Sequence, residues 1–120
     1  MSQHSEQIID NIAFEEAKKS MQHKFPKIMG YFFEDTTSYI DTINQGLAQQ
    51  DASLIMPAAH TIKSSSRQLG GAKLSDVAAL LEQKAREYMK EETDFSVMQQ
   101  LAVELKELFQ ITKEQMENRI

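Results

Sequence analysis

The sequence predicts an all-α protein, an antiparallel four-helix bundle with a short extra N-terminal helix. Three observations carry that expectation. Apolar residues recur with a period near 3.6 along almost the whole chain, the spacing of amphipathic helices. Only 4 Gly and 2 Pro occur in 120 residues, too few for a turn-rich β protein. Four long periodic segments are separated by short links, which antiparallel bundles need.

Each element has local support. Residues 1–10 are expected to form a flexible tail, leaving 11–118 as the single domain. Asp10 can cap a short first helix from Asn11 to about Gln22, anchored by Ile12 and Phe14. Pro26 then falls in the first turn of a second helix, Phe25 to Gln49, where proline is tolerated. Its apolar stripe is Phe25, Ile28, Met29, Phe32, Phe33, Ile40, Ile43 and Leu47. Asp51 caps a third helix reaching Leu69, and Gly70-Gly71 stops it, because glycine takes a left-handed C′ conformation without steric cost. Pro57 leaves two possibilities open: the third helix starts near Ser53, or it kinks at Pro57. The fourth helix carries Leu74, Val77, Ala78, Leu81, Ala85 and Tyr88 on one face. Charged residues Lys90 to Asp94 form the next connection. A last helix from about Asp94 carries Met98, Leu101, Ala102, Leu105, Leu108, Phe109 and Met116.

Composition narrows the function. The chain is 41% hydrophobic and 26% charged, ordinary for a soluble domain, and a chain this long buries about 65% of its unfolded surface. There is no cysteine, so disulfides, thiolate metal sites and a Cys nucleophile are excluded. The net charge of −5 disfavours nucleic acid and anionic membranes as partners. The N-terminus MSQHSEQIID has neither the basic nor the apolar region of a signal peptide, and no stretch approaches the ~18 apolar residues of a membrane span. The expected location is the cytoplasm. A di-metal carboxylate bundle needs Glu-x-x-His pairs, and none of His4, His23 and His60 has Glu three residues before it. A phosphate-binding glycine loop is also missing. Neither a metal nor a cofactor is expected.

The third helix carries the chemistry. Ile55, Ala58 or Ala59, Ile62 and Leu69 mark its apolar side, completed by Ser65 and Ser66. His60, Lys63, Ser64 and Arg67 share another face at about 100° per residue. From Ala52 to Ser75 there is no acidic residue but three cations, so this segment is +3 and the rest of the chain −8. Such a face suits an anionic group or an acidic partner. A neutral imidazole is a nucleophile. If His60 took up a phosphoryl group, Lys63 would stand one turn away to neutralise its oxygens, and Ser64 could donate a hydrogen bond. The second ring nitrogen of such a histidine needs holding in one tautomer, usually by a carboxylate. Glu82 is the candidate, because His60 lies 10 residues before Gly70 and Glu82 lies 12 after it. Arg86, one turn further on, adds positive charge, although an Arg86–Glu82 pair at i, i+4 would also be an ordinary surface salt bridge. Ser64, Arg67, Gly70 and Arg86 complete the set expected to meet phosphate or partner.

The run Ala59-His60-Thr61-Ile62-Lys63-Ser64-Ser65-Ser66, followed by Leu69-Gly70-Gly71-Ala72 and later Leu81-Glu82, resembles the signature of histidine-containing phosphotransfer (HPt) domains. Phe32-Phe33-Glu34-Asp35, Ile40, Leu47 and Asp51 are similar to that family's preceding helix and its capped turn. The resemblance spans roughly residues 11–115 and points to a stand-alone bacterial type. It implies a four-helix bundle in which His60 is the phosphoacceptor, Lys63 supports the phosphate and Glu82 bonds the imidazole. It also implies two partners: the receiver domain of a hybrid sensor kinase as donor, and a response-regulator receiver domain as acceptor. Such a chain would be a carrier and not an enzyme, sufficient as a monomer. Ser64 departs from the family, which most often has glycine there. Two other readings use the same residues: a helical adaptor that binds an acidic partner through Lys63 and Arg67, and a relative whose His60 no longer functions.

Overall fold

The computed structural model describes residues 7–91 and 94–120. Its helices are α1 (Asn11–Met21), α2 (Phe25–Gln49), α3 (Ala52–Gln68), α4 (Ala72–Glu91) and α5 (Ser96–Glu117), with a short 3₁₀ segment, Gln22–Lys24, between α1 and α2. No strand occurs among the described residues. The four long helices form the antiparallel bundle, with α3 and α4 sharing the most extensive interface and α1 lying across one end of α2 and α3.

Aspartate side chains mark three of the five α-helix starts. Asp10 Oδ1 accepts from the Ala13 N–H at 3.1 Å, Asp51 Oδ1 from Ser53 at 3.0 Å, and Asp94 Oδ1 from Ser96 at 2.9 Å. The α4 helix runs through Glu91, so the expected connection over Lys90–Asp94 is shorter than it looked; residues 92 and 93 lie outside the described residues. Pro57 lies inside α3 as its sixth residue. The helix starts at Ala52, near Ser53, and continues past the proline, where the Ser53 carbonyl forgoes its i+4 donor.

The buried stripes follow the expected periodicity, with Ile28, Leu47, Tyr88 and Leu101 only half-buried at their margins and small polar residues filling gaps, Thr112 between Phe109 and Met116 on α5 among them. Thr36, 1% exposed, fills the gap between Phe33 and Ile40 on α2, three residues after one and four before the other. The N-terminal anchor differs. Phe14 is fully buried, edge-on to Phe25 with ring centroids 5.3 Å apart, but Ile12 is 74% exposed. Two steps of about 100° put Ile12 on the far side of α1 from Phe14. Ile9, placed by sequence in the free tail, is buried instead. The Asp10 N–H donates to the Gly70 carbonyl at 2.8 Å, which pins this segment over the α3–α4 turn. At the other end Arg119, beyond the expected limit at residue 118, stacks over the Phe14 ring at 4.4 Å and donates to Asn11 Oδ1 at 2.7 Å. Residues 1–6 of the expected tail lie outside the described residues.

The turn after α3 is closed by two backbone bonds, Gly71 N–H to the Ser66 carbonyl and Gly70 N–H to the Arg67 carbonyl, the pairing of a Schellman cap. Gly70 has φ +90°, and a Cβ there would come within 2.9 Å of the Asp10 oxygen and the Phe14 nitrogen. Gly70→Ala is therefore expected to destabilise the fold by about 2–4 kcal/mol, from strain and overpacking together. Urea denaturation checks this; a midpoint equal to that of the parent would contradict it.

Candidate functional site

Antiparallel packing after that turn lays α4 alongside α3 in one register. Ser75 Oγ donates to the Lys63 carbonyl at 2.8 Å, Glu82 reaches His60 and Lys63, and Arg86 approaches the Met56 sulfur at 3.9 Å. Moving up α4 thus moves down α3, and Glu82 arrives level with His60.

Glu82 is the hub. Its side chain is 4% exposed, yet it receives three cationic or polar donors. His60 Nδ1 lies 2.8 Å from Oε2, Arg86 Nη2 lies 2.9 Å from the same oxygen, and Lys63 Nζ lies 2.6 Å from Oε1. Burial pushes the Glu82 carboxyl up. Hydrogen bonds from Lys63 and His60, and their charge, outweigh burial and hold it below the ordinary carboxylate value. An ionised carboxylate only accepts, so Nδ1 carries the proton of a neutral His60 ring and Nε2 keeps its lone pair. The His60 side chain is 55% exposed, and Nε2 has no partner among the described residues. A nucleophilic nitrogen therefore faces solvent while the other is tied down.

The depressed Glu82 carboxyl carries a pH signature. A group of this kind stabilises the fold fully above its ordinary value, here 4.5, and loses that contribution as pH falls through the lowered folded value. The stability gap between the parent and Glu82→Gln is expected to narrow steadily from about pH 5 to about pH 3, because protonated Glu82 resembles glutamine. Denaturation midpoints across that range measure it; a gap that stays constant to the lowest pH would contradict the ion-pair account.

Of the residues singled out by sequence, His60, Lys63, Glu82 and Arg86 come together. Ser64 and Arg67 lie exposed on the same face of α3, and their side chains make no hydrogen bond or ion pair within the described residues. Gly70 ends α3, buried against Asp10 and Phe14, and with Arg67 it lines a separate hollow beside Ala72 and Ser75. The electrostatics also differ from the linear count. Lys63, one of three unopposed cations in its own segment, is matched in space by Glu82 from the next helix. Ser75 was not anticipated. It is 2% exposed and ties α4 to the backbone of Lys63. Its spacing from Ala78 and Glu82, three and seven residues, was the available signal. Beside the site, Ile28, Tyr31, Asp35, Tyr39, Thr61 and Ser65 line a groove between α2 and α3 that reaches the residue next to His60. No group of three or more potential metal ligands occurs among the described residues.

A helical bundle that presents a histidine with one ring nitrogen held by a buried carboxylate and the other open defines a phosphotransfer class of protein. Residues 27–115 match the family model of the Hpt domain, and the chain belongs to that family. The fold is similar to the crystal structure of histidine-containing phosphotransfer protein B (HptB) from Pseudomonas aeruginosa PAO1. The TM-score is 0.82 at 20% sequence identity, over 97% of this chain and 99% of the other. No curated protein matches the chain. Its role is histidine phosphotransfer in a phosphorelay, in which Hpt proteins interact with receiver domains. Among the described residues, no helix is long and apolar enough to cross a membrane.

Proposed function

We propose that His60 is the phosphoacceptor and that the chain carries phosphoryl groups between two receiver domains, from that of a hybrid sensor kinase to that of a response regulator. The observation that carries this reading is the bond from His60 Nδ1 to buried Glu82, which leaves Nε2 open. Nε2 attacks the phosphorus of an aspartyl phosphate in line. The N–P bond forms as the P–O bond to the aspartate breaks, and the aspartate leaves as a carboxylate. No proton moves. The ring gains positive charge during the step, and Glu82 stabilises that charge through Nδ1–H. Transfer to the second receiver runs the same step in reverse. Because both an acyl phosphate and a phosphohistidine are energy-rich, the exchange is near-balanced.

Lys63 sits one turn from His60 and offsets charge on the phosphoryl oxygens by turning from Glu82 toward them. Arg86 stays on Glu82 Oε2 and keeps the carboxylate aimed at the ring. A receiver docks over α2 and α3, where the groove beside Thr61 offers an apolar floor rimmed by Asp35 and Tyr31. Arg67, two turns from His60, faces the acidic rim that surrounds a receiver's aspartate. The chain is a carrier and not an enzyme; it acts in the cytoplasm as a monomer without a cofactor. The test is to mix it with a receiver labelled on its aspartate. Acid-labile, alkali-stable label on His60 is expected, and failure to take label from any cognate receiver would overturn the reading.

A further inference from the structure

The donors around His60 differ in what they are already bound to. Lys63 and Arg86 are each already paired with Glu82 through one nitrogen. The hydroxyls of α3 are spent as well: Ser53 bonds Asp51, Thr61 the Pro57 carbonyl, Ser65 the Thr61 carbonyl and Ser66 the Ile62 carbonyl. Three of these four follow the usual back-bond to the residue four positions earlier. Ser64 breaks the pattern. Its counterpart would be the carbonyl of His60, yet its hydroxyl bonds nothing among the described residues, and it is exposed. Residues four apart are neighbours on a helix surface, about 5–6 Å between Cβ atoms. Helical side chains lean toward the N-terminus, which tilts Ser64 toward the turn of His60.

We infer that Ser64 is a catalytic residue of the transfer: its hydroxyl donates to an oxygen of the phosphoryl group at His60 Nε2, in the transition state and in the phosphohistidine. This deepens the proposed function and rests on the phosphoacceptor reading of His60. Ser64 keeps its proton throughout, so the bonds formed and broken are those of the transfer itself. The free hydroxyl needs no prior contact to be released, unlike Lys63, which must leave Glu82. Where a glycine at this position would offer only space, the serine offers a hydrogen bond at the expense of some clearance.

A small donor separates phosphoryl contact from partner docking. The parent chain, Ser64→Ala, Ser64→Gly, Ser64→Thr and His60→Gln are each incubated with potassium phosphoramidate. Phosphohistidine is followed by intact mass, its decay is timed after the donor is removed, and helicity is checked by circular dichroism. Ser64→Ala and Ser64→Gly are expected to slow formation about 3–10-fold and to shorten the half-life of the product. Ser64→Thr, which keeps the hydroxyl, should stay within about twofold of the parent. Equal rates and half-lives across the Ser64 series, with label on His60, would overturn this inference alone. So would a faster Ser64→Gly beside an unchanged Ser64→Ala, which would mean that the side chain acts only by its bulk. Label that survives His60→Gln would overturn the phosphoacceptor reading, and this inference with it.

Discussion

His60→Gln is expected to abolish phosphoryl uptake from a phosphorylated receiver while leaving the bundle folded. The substitution removes the only ring nitrogen that is both unbonded and open to solvent at this site, and an amide cannot replace it as a nucleophile. Glutamine suits the test because its N–H₂ can still donate to Glu82, so the buried carboxylate keeps a partner where alanine would leave a gap. The His60 side chain is 55% exposed and packs little apolar surface, so the melting temperature should move by less than about 3 °C, in line with about 0.5 kcal/mol for surface substitutions. Label of parental intensity on the variant would move the phosphoacceptor to another residue. Loss of label together with loss of helicity would show instead that His60 is structural.

Glu82→Ala is expected to act on both stability and transfer. Removing the carboxylate releases three donors. Their side chains are 55%, 26% and 55% exposed for His60, Lys63 and Arg86, so each can turn to water and none becomes a buried unpaired charge. That screening puts the stability loss near about 1–3 kcal/mol, below what a fully buried pair would cost. Transfer should fall further, by about 10–100-fold, the range seen when the partner that orients a histidine is lost. With no acceptor at Nδ1, the ring samples both tautomers and several orientations, and the charge it gains on phosphorylation goes unmatched. Glu82→Gln should recover part of the rate, because its amide oxygen still accepts from Nδ1–H. Rapid mixing with a labelled receiver measures the rate, and urea denaturation the stability. Parental transfer by Glu82→Ala would remove Glu82 from the mechanism.

Much of the site could be read from local spacing. The step from His60 to Lys63, Ser64 and Arg67 is a helix-face argument, and these residues do share a face. The similar distances of His60 and Glu82 from Gly70, 10 residues before it and 12 after, predict their meeting, because a tight turn between antiparallel helices pairs residues by their distance from it. Two readings of Glu82 competed, an i, i+4 surface pair with Arg86 and a partner of His60, and both bonds are present on the same oxygen. Ile12 went astray because alternate apolar residues on a short helix cannot both face the core, and a helix this brief gives little stripe to choose from. Ile9 was obscure for a related reason: its burial comes from the Asp10–Gly70 bond, which joins residues 60 apart in sequence. Gly70 looked like part of the exposed motif because it follows it closely, whereas the chain there has already turned under α1.

Local patterning was enough for the fold class, the capped starts of α1 and α3, most of the buried stripes and the face on which His60 stands. These follow from contacts within a few residues, and a periodic pattern states them completely. Packing in three dimensions set which oxygen of Glu82 each donor takes, that Lys63 is bound there while the Ser64 hydroxyl is free, and that Arg119 closes over Phe14. Periodicity gives an angle around one helix axis. It carries no measure of how far one helix slides along another, and only the packed bundle, with α3 and α4 held in register through Ser75 and the Gly70 turn, supplies that offset.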